Sequence, residues 1–142
     1  MIPDATVTLC AERDPHAEAV ILGGLEAHNL EKFGRADSRV LDVLLRDDSG
    51  AIIGGLLGHT SLGLFFLDLF YLPKPLRGRG LGSRIMSQAE NEARARGCRT
   101  VFVFSITFHA PEFYERHGYR RFGEIVCPPD GAARIFLTKT LA

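Results

Sequence analysis

Arg77-Gly78-Arg79-Gly80-Leu81-Gly82 sets three glycines at alternate positions beside two arginines. Glycine lets the backbone bend tightly, and no Cβ hinders a ligand's approach. The helical pattern that follows, with Ser83 in its first turn, brings unsatisfied N–H groups and roughly half a positive charge to the same point. Together these features predict an anion site, read here as a pyrophosphate cradle. A glycine-rich connection with two solvated arginines would fit the same six residues. Two further groups could do chemistry nearby. Asp68 is a lone carboxylate in an otherwise apolar run, and Tyr114 is a phenol within His109-Ala110-Pro111-Glu112-Phe113-Tyr114-Glu115-Arg116-His117-Gly118-Tyr119.

Spacing separates the nucleotide motifs that such a turn could represent. A P-loop needs G-x-x-x-x-G-K-[ST], but Ser83 stands five residues after Gly78 and no lysine follows. A dinucleotide fingerprint G-x-G-x-x-G would need its third glycine at Ser83 or Ile85. The elements needed to position the turn are legible. Leu67 to Leu72 reads as the end of a strand stopped by Pro73 and Pro75, which cannot donate ladder hydrogen bonds. Beyond Gly82, Ile85, Met86, Ala89 and Ala93 fall on one helical face, with Glu90/Arg94 and Glu92/Arg96 pairing on the other and Gly97 as the stop. Thr100 to Thr107, apolar on both faces, reads as an interior strand parallel to the first through a right-handed crossover.

Earlier in the chain, Thr6 to Ala11 predicts a first strand. Asp14-Pro15 opens a helix running to about Asn29, with Ala19, Leu22, Ala27 and Leu30 as a loose apolar stripe. Leu41 to Leu45 and Ala51 to Gly58 predict a hairpin around Asp47-Asp48-Ser49-Gly50, and Ser61-Leu62-Gly63 turns the chain again toward Leu64. Pro111, Glu112 and Gly118 bound a helix of about two turns. Tyr119 to Val126 and Arg134 to Lys139 then form a last strand pair across the Cys127 to Gly131 loop.

Both clusters match signatures of one superfamily. Arg77-x-x-Gly80-x-Gly82 resembles the R-x-x-G-x-G turn of the GNAT acetyl-CoA-dependent N-acetyltransferases. Ala110, Tyr114, Glu115, Gly118 and Tyr119 are similar to its second signature, A-x-x-x-Y-E-x-x-G-[FY]. The resemblance covers most of the chain from Leu41 onward and follows the first 40 residues only in outline. It implies an α+β fold: a mixed, mostly antiparallel sheet of about six or seven strands, flanked by helices, with a central parallel βαβ pair splayed to admit CoA. It also implies a single N-acetyltransferase domain over residues 1–142.

In the site that the resemblance implies, pantetheine bonds to main-chain groups around Phe70, Tyr71 and Leu72. Arg77, Gly78, Arg79, Gly80, Leu81, Gly82 and Ser83 hold the pyrophosphate. Tyr114 donates a proton or hydrogen bond to the departing sulfur, and Asp68 touches the acceptor amine, directly or through water. A core aromatic on an amphipathic helix would also explain Tyr114, and a satisfied structural carboxylate would explain Asp68. His109, His59 and Glu124 are further candidates for the base. Thr107 stands where many members carry an asparagine, and its hydroxyl can make one of that residue's contacts. The implied reaction is acetyl transfer from acetyl-CoA, as co-substrate, to a primary amine of a small molecule by direct attack in a ternary complex. A protein lysine or N-terminal acetyltransferase, or a non-catalytic CoA-binding module, would keep the same cradle.

Bulk properties agree with this reading. The chain has 142 residues and 46% hydrophobic content, enough for one domain with a sizeable core. Residues 1–75 hold 11 Asp/Glu and 6 Lys/Arg, net −5, and residues 76–142 hold 6 and 11, net +5. A basic half for a phosphate-rich co-substrate and an acidic half for a cationic acceptor would explain this, as would chance. No nucleic-acid partner is expected of a chain that is not basic overall. There is no apolar run of about 18 residues to span a membrane and no secretory leader pattern, so a cytoplasmic location is expected. Cys10, Cys98 and Cys127 suit reduced, mostly buried thiols, and no His/Cys/carboxylate set has metal-ligand spacing. A homodimer is compatible with all of this.

Overall fold

The computed structural model describes residues 4–106, 111–129 and 131–142. They form two compact units, Met1–Ala36 and Asp37–Ala142. The first unit holds helix α1, Ala17–Phe33, closed by Gly34, which takes a left-handed φ of 75° and returns its N–H to the Leu30 carbonyl. The helix runs four residues past the expected Asn29, because Gly34 is the first glycine to adopt the left-handed closing geometry. No α1 residue is buried within the structure. The strand expected over Thr6 to Ala11 is absent. Val7 and Leu9 are exposed, and no described strand pair includes this segment. Apolar alternation yields a strand only where a neighbouring edge accepts its hydrogen bonds.

The second unit is a six-stranded sheet in the order β1-β2-β3-β4-β6-β5. Its strands are β1 Arg39–Arg46, β2 Ile52–Ser61, β3 Leu64–Tyr71, β4 Thr100–Ile106, β5 Arg120–Cys127 and β6 Ala132–Thr140. Neighbours are antiparallel except β3 and β4, which are parallel across helix α2, Leu81–Ala95. Helix α3, Pro111–Arg116, leads into β5. The β2–β3 turn puts Leu62 at φ 48° and Gly63 at φ 86°, the handedness a two-residue hairpin needs. Such a φ strains a leucine, and the Asp37 carboxylate, accepting the Leu62 N–H at 2.8 Å, helps hold it there.

The α2 face of the sheet carries the core: Ile85, Met86, Ala89 and Ala93 pack on Leu56, Phe65, Val101, Val103, Ile135 and Leu137. Each large apolar side chain buried there contributes about 1.5–3 kcal/mol. Two expectations need correction. Glu90 lies on this buried face, not the solvent face, because position 90 shares the stripe of Met86 and Ala93. Its carboxylate accepts the Tyr119 hydroxyl at 2.7 Å and Lys139 Nζ at 2.8 Å, with Arg94 at 3.9 Å, so the buried charge is paired. Glu92 and Arg96 pair as expected, at 2.7 Å. β4 is an interior strand but is not buried on both faces. Val101 and Val103 face α2, whereas Phe104 on the other face is half exposed among Phe102, Phe122 and Phe136. Cys98 is buried, but Cys127 is only partly so and Cys10 is exposed; no disulfide joins them.

Candidate active site

The decisive feature begins as a count of residues. Leu57 faces Leu69 and Gly58 faces Leu67, so Asp68 is one extra residue on β3, a bulge. The same strand pairs with β4 only through Leu64↔Thr100, Phe65↔Val101 and Phe66↔Phe102. Beyond Phe66, two residues before the bulge at Asp68, the two parallel strands share no further registered pair. The remaining residues of β3, through Phe70 and Tyr71, therefore have no registered partner on the described part of β4, which leaves an opening in the ladder in the middle of the sheet. The bulge also reverses the alternation: Phe70 turns toward the core side, against Phe113 at 5.5 Å between ring centroids, while Leu69 and Tyr71 are exposed. Leu72 follows the end of the strand, and its carbonyl accepts Arg77 Nε at 3.0 Å, so the arginine side chain folds back over the strand terminus.

A 3-10 turn, Lys74–Leu76, leads to the glycine segment. Gly78 has φ 76° and Gly80 φ 81°, and a Cβ at either would meet nothing within 4 Å. Their glycine requirement is therefore conformational, and the space above them is open. Gly80 is the N-cap of α2. It supplies no side-chain cap, and the first turn contains no acidic residue. Leu81, Gly82 and Ser83 thus present first-turn N–H groups to whatever anion approaches, with Arg77 and Arg79 exposed beside them. These features fit a pyrophosphate.

Gly82 has a different reason to lack a side chain: a Cβ there would stand 2.9 Å from Phe113 Cε1 and 3.1 Å from Cζ. That contact joins the two sequence signatures. Phe113 packs edge-on against Phe70 and Tyr114, and stacks at a tilt on His117. Gly82→Ala is therefore expected to displace α3 and lower stability by about 1–2 kcal/mol, as overpacking does, read from the midpoint of urea unfolding. An unchanged midpoint would show that Phe113 yields freely.

Sequence reasoning did not single out His117. Its Nδ1 lies 2.7 Å from the Phe113 carbonyl and must donate to it, so in the neutral ring Nε2 accepts the Ser83 hydroxyl at 2.9 Å. The pair ties α3 to the first turn of α2 across 34 residues of sequence. The signal available in advance was only a histidine at the end of a short helix.

Tyr114 is 8% exposed, between the rings of Phe113 at 5.4 Å and Tyr119 at 5.7 Å. Burial pushes its phenol up to about 12. The folded chain holds this proton more tightly than the unfolded chain does. The associated stability, about 3 kcal/mol, is complete below the ordinary tyrosine value near ~10 and is lost as pH rises through about 12. A Tyr114→Phe chain is expected to lose less stability between those pH values than the wild type, measured by urea unfolding at each pH. Parallel losses would contradict the assignment. Two other residues of the second signature, Glu115 and Tyr119, make structural contacts. Glu115 accepts Arg121 at 2.9 Å, which lowers its carboxyl below the usual range, and Tyr119 caps the buried Glu90.

Asp68, on the bulge, lies 2.8 Å from His59 Nδ1 through Oδ2. The structure thus brings Asp68 together with one weaker candidate, His59. It sets Glu124 apart on β5, with β4 and β6 between that strand and β3. Thr107, His109 and Ala110 lie outside the described residues. A cavity of about 560 Å³ between β1 and α2, lined by Asp42, Gln88, Asn91 and Arg96 among others, contains no residue of either signature. Among the described residues no cluster of three His, Cys, Asp or Glu is placed to hold a metal ion, and no helix is long and apolar enough to cross a membrane.

Comparison with known proteins agrees with this geometry. Residues 9–119 match the model of the Acetyltransferase (GNAT) family. The chain is 35% identical over 126 residues to Acetyltransferase Atu2258 of Agrobacterium fabrum, covering 89% of this chain and 92% of that one. It is 39% identical over 95 residues to the Blasticidin-S acetyltransferase of Streptomyces morookaense, covering 66% and 70%. Among solved structures, one described as an acetyltransferase from Agrobacterium tumefaciens superposes with a TM-score of 0.85 at 33% identity, covering 96% of this chain and 99% of that one.

Proposed function

This chain belongs to the GNAT acetyltransferase family, and from that premise we propose that it transfers the acetyl group of acetyl-CoA to a primary amine of a small, cationic molecule. The observation that carries the proposal is the opening between β3 and β4, where pairing ends at Phe66↔Phe102, beside the glycine-rich start of α2. In this reading the pantetheine arm lies along main-chain groups of Phe70, Tyr71 and Leu72, and the pyrophosphate rests on Arg77, Gly78, Arg79, Gly80, Leu81, Gly82 and Ser83. Arg77 Nε already donates to the Leu72 carbonyl, which keeps a second lone pair for the arm.

When bound, acetyl-CoA supplies the thioester; the chain supplies position and electrostatics. Main-chain donors on the bulged strand stabilise the developing oxyanion, an effect of about 3 kcal/mol for one donor. Tyr114 faces the departing sulfur. With its phenol near about 12 and an ordinary thiol near ~8.5, full proton transfer is uphill by roughly 5 kcal/mol, so Tyr114 acts by hydrogen bonding. Asp68 provides negative charge at the mouth of the opening, where an ammonium acceptor would be drawn in.

The choice of a small cationic acceptor rests on two supports. One is the acidic balance of residues 1–75, net −5. The other is the relatives, one named for blasticidin-S and another, 28% identical over 87 residues and covering 51% of this chain and 57% of that one, named as a probable spermine N(1)-acetyltransferase of Bacillus subtilis. The test is release of free CoA thiol across a panel of polyamines, amino-nucleosides and peptides, with products identified by mass spectrometry. Acetylation of a small polycation in preference to peptide termini and lysines is expected. Thiol release that no amine stimulates would overturn the proposal.

A further inference from the structure

We propose that His59 is the general base of this site and that Asp68 acts through it as a positioning residue. The inference rests on the acetyl-transfer reading above and deepens it. The imidazole is fixed by two contacts that have no evident need to coincide. Its Nδ1 lies 2.8 Å from Asp68 Oδ2, and its ring lies flat on Phe66, with centroids 4.5 Å apart and planes within 3° of parallel. A carboxylate can only accept, so Nδ1 carries the hydrogen, and in the neutral imidazole Nε2 is left with the lone pair. That is the tautomer a base requires, held as a buried aspartate holds histidine in hydrolytic triads.

Both anchors sit where the sheet opens. Phe66 is the last β3 residue registered with β4, and Asp68 is the extra residue of the bulge that follows. As the extra residue of the bulge, Asp68 has no registered partner on β2. The pair is neither sealed in the core nor fully solvated, with side chains 37% and 49% exposed, as a group that must meet a soluble acceptor should be. A purely structural carboxylate would need neither the stacked imidazole nor the bulge.

The step balances without further reagents. An alkylammonium entering beside Asp68 gives one proton to His59 Nε2, and the freed lone pair forms the C–N bond as the carbonyl π pair moves to oxygen. When that pair returns, the C–S bond breaks and its electrons leave on sulfur, hydrogen-bonded to Tyr114. The second nitrogen proton reaches the thiolate through solvent, and His59 returns its own proton to water. An alkylammonium ordinarily titrates near ~10.4, so at neutral pH this deprotonation is a required step.

The test compares His59→Ala and His59→Gln with wild type, using two acceptors: a strongly basic alkylamine, and a weakly basic amine such as an alkoxyamine that is already neutral at the assay pH. The expected result is a loss of about 100-fold or more in kcat/KM for the basic amine. The loss for the neutral one is much smaller, acetyl-CoA affinity stays within about twofold of wild type by the affinity scale used for binding, and added imidazole partially rescues His59→Ala. Asp68→Asn should lose less, and the double variant no more than His59→Ala alone. Equal losses for both amines without imidazole rescue would overturn the assignment and make His59 structural; so would full activity in both variants. Wild-type protein that binds acetyl-CoA yet acetylates no amine would instead overturn the transferase reading, and the base with it.

Discussion

Replacing Gly80 by Glu is expected to weaken acetyl-CoA binding by at least about 100-fold, close to 3 kcal/mol. Two costs combine. Gly80 holds φ 81° at the N-cap of α2, a conformation that costs an L-residue about 1–2 kcal/mol and invites the turn to rearrange. A carboxylate at that point also competes with the phosphates for the first-turn N–H groups and repels them across the same short distance. The Cβ itself adds no crowding, since it would meet no atom within 4 Å. Gly80→Ala carries the strain without the charge, so calorimetric titration of both variants separates the two costs. The alanine chain is expected to lose about tenfold, the strain cost alone. Identical affinities for wild type and Gly80→Glu would place the phosphates elsewhere.

Tyr114→Phe should lower kcat by about 10- to 100-fold while acetyl-CoA affinity changes little. The phenylalanine keeps the edge-on packing against Phe113 and Tyr119, so the fold persists and only the hydroxyl is lost. A hydrogen bond to a developing thiolate is one to a charged partner, worth about 1.5–3 kcal/mol, and each 1.4 kcal/mol of that is tenfold in rate. Because burial holds the phenol near about 12, the wild-type rate should show no loss from tyrosine ionisation below about pH 11. Steady-state kinetics with a fixed amine decide the matter. An unchanged kcat would remove Tyr114 from the reaction and return it to the core as an aromatic spacer.

Most of the second unit was legible in the sequence for local reasons. The Asp47-Asp48-Ser49-Gly50 turn and the apolar runs on either side announce the β1–β2 hairpin. The stripe of Ile85, Met86, Ala89 and Ala93 between Gly80 and Gly97 announces α2. What escaped depends on tertiary partners. That β6 lies between β4 and β5 cannot be read from either strand, because a hairpin pattern fixes its own pairing and not which edge it offers to the sheet. Glu90 reads as a solvent-face helix residue until Tyr119 and Lys139, distant in sequence, arrive to satisfy it.

The candidate site divides in the same way. The glycine turn, with its positive φ at Gly78 and Gly80, was carried by residue type alone. Gly82 appeared to share that reason, yet its neighbour is Phe113. The bulge at Asp68 has no sequence signal beyond a carboxylate among apolar residues, and the link to His59 appears only once β2 and β3 are in register. Thr6 to Ala11 shows the converse error, a convincing alternation that takes part in no described strand pair.

The central claim is that the opening between β3 and β4 and the cradle at the start of α2 form one acetyl-CoA site. Calorimetric titration of the intact chain with acetyl-CoA tests it most directly, with adenosine, which lacks the phosphates and the pantetheine arm, titrated in parallel. The account predicts micromolar binding of acetyl-CoA, about −8 kcal/mol, and none of comparable strength by adenosine. Absence of binding at millimolar acetyl-CoA, or equal affinity for adenosine, would contradict it.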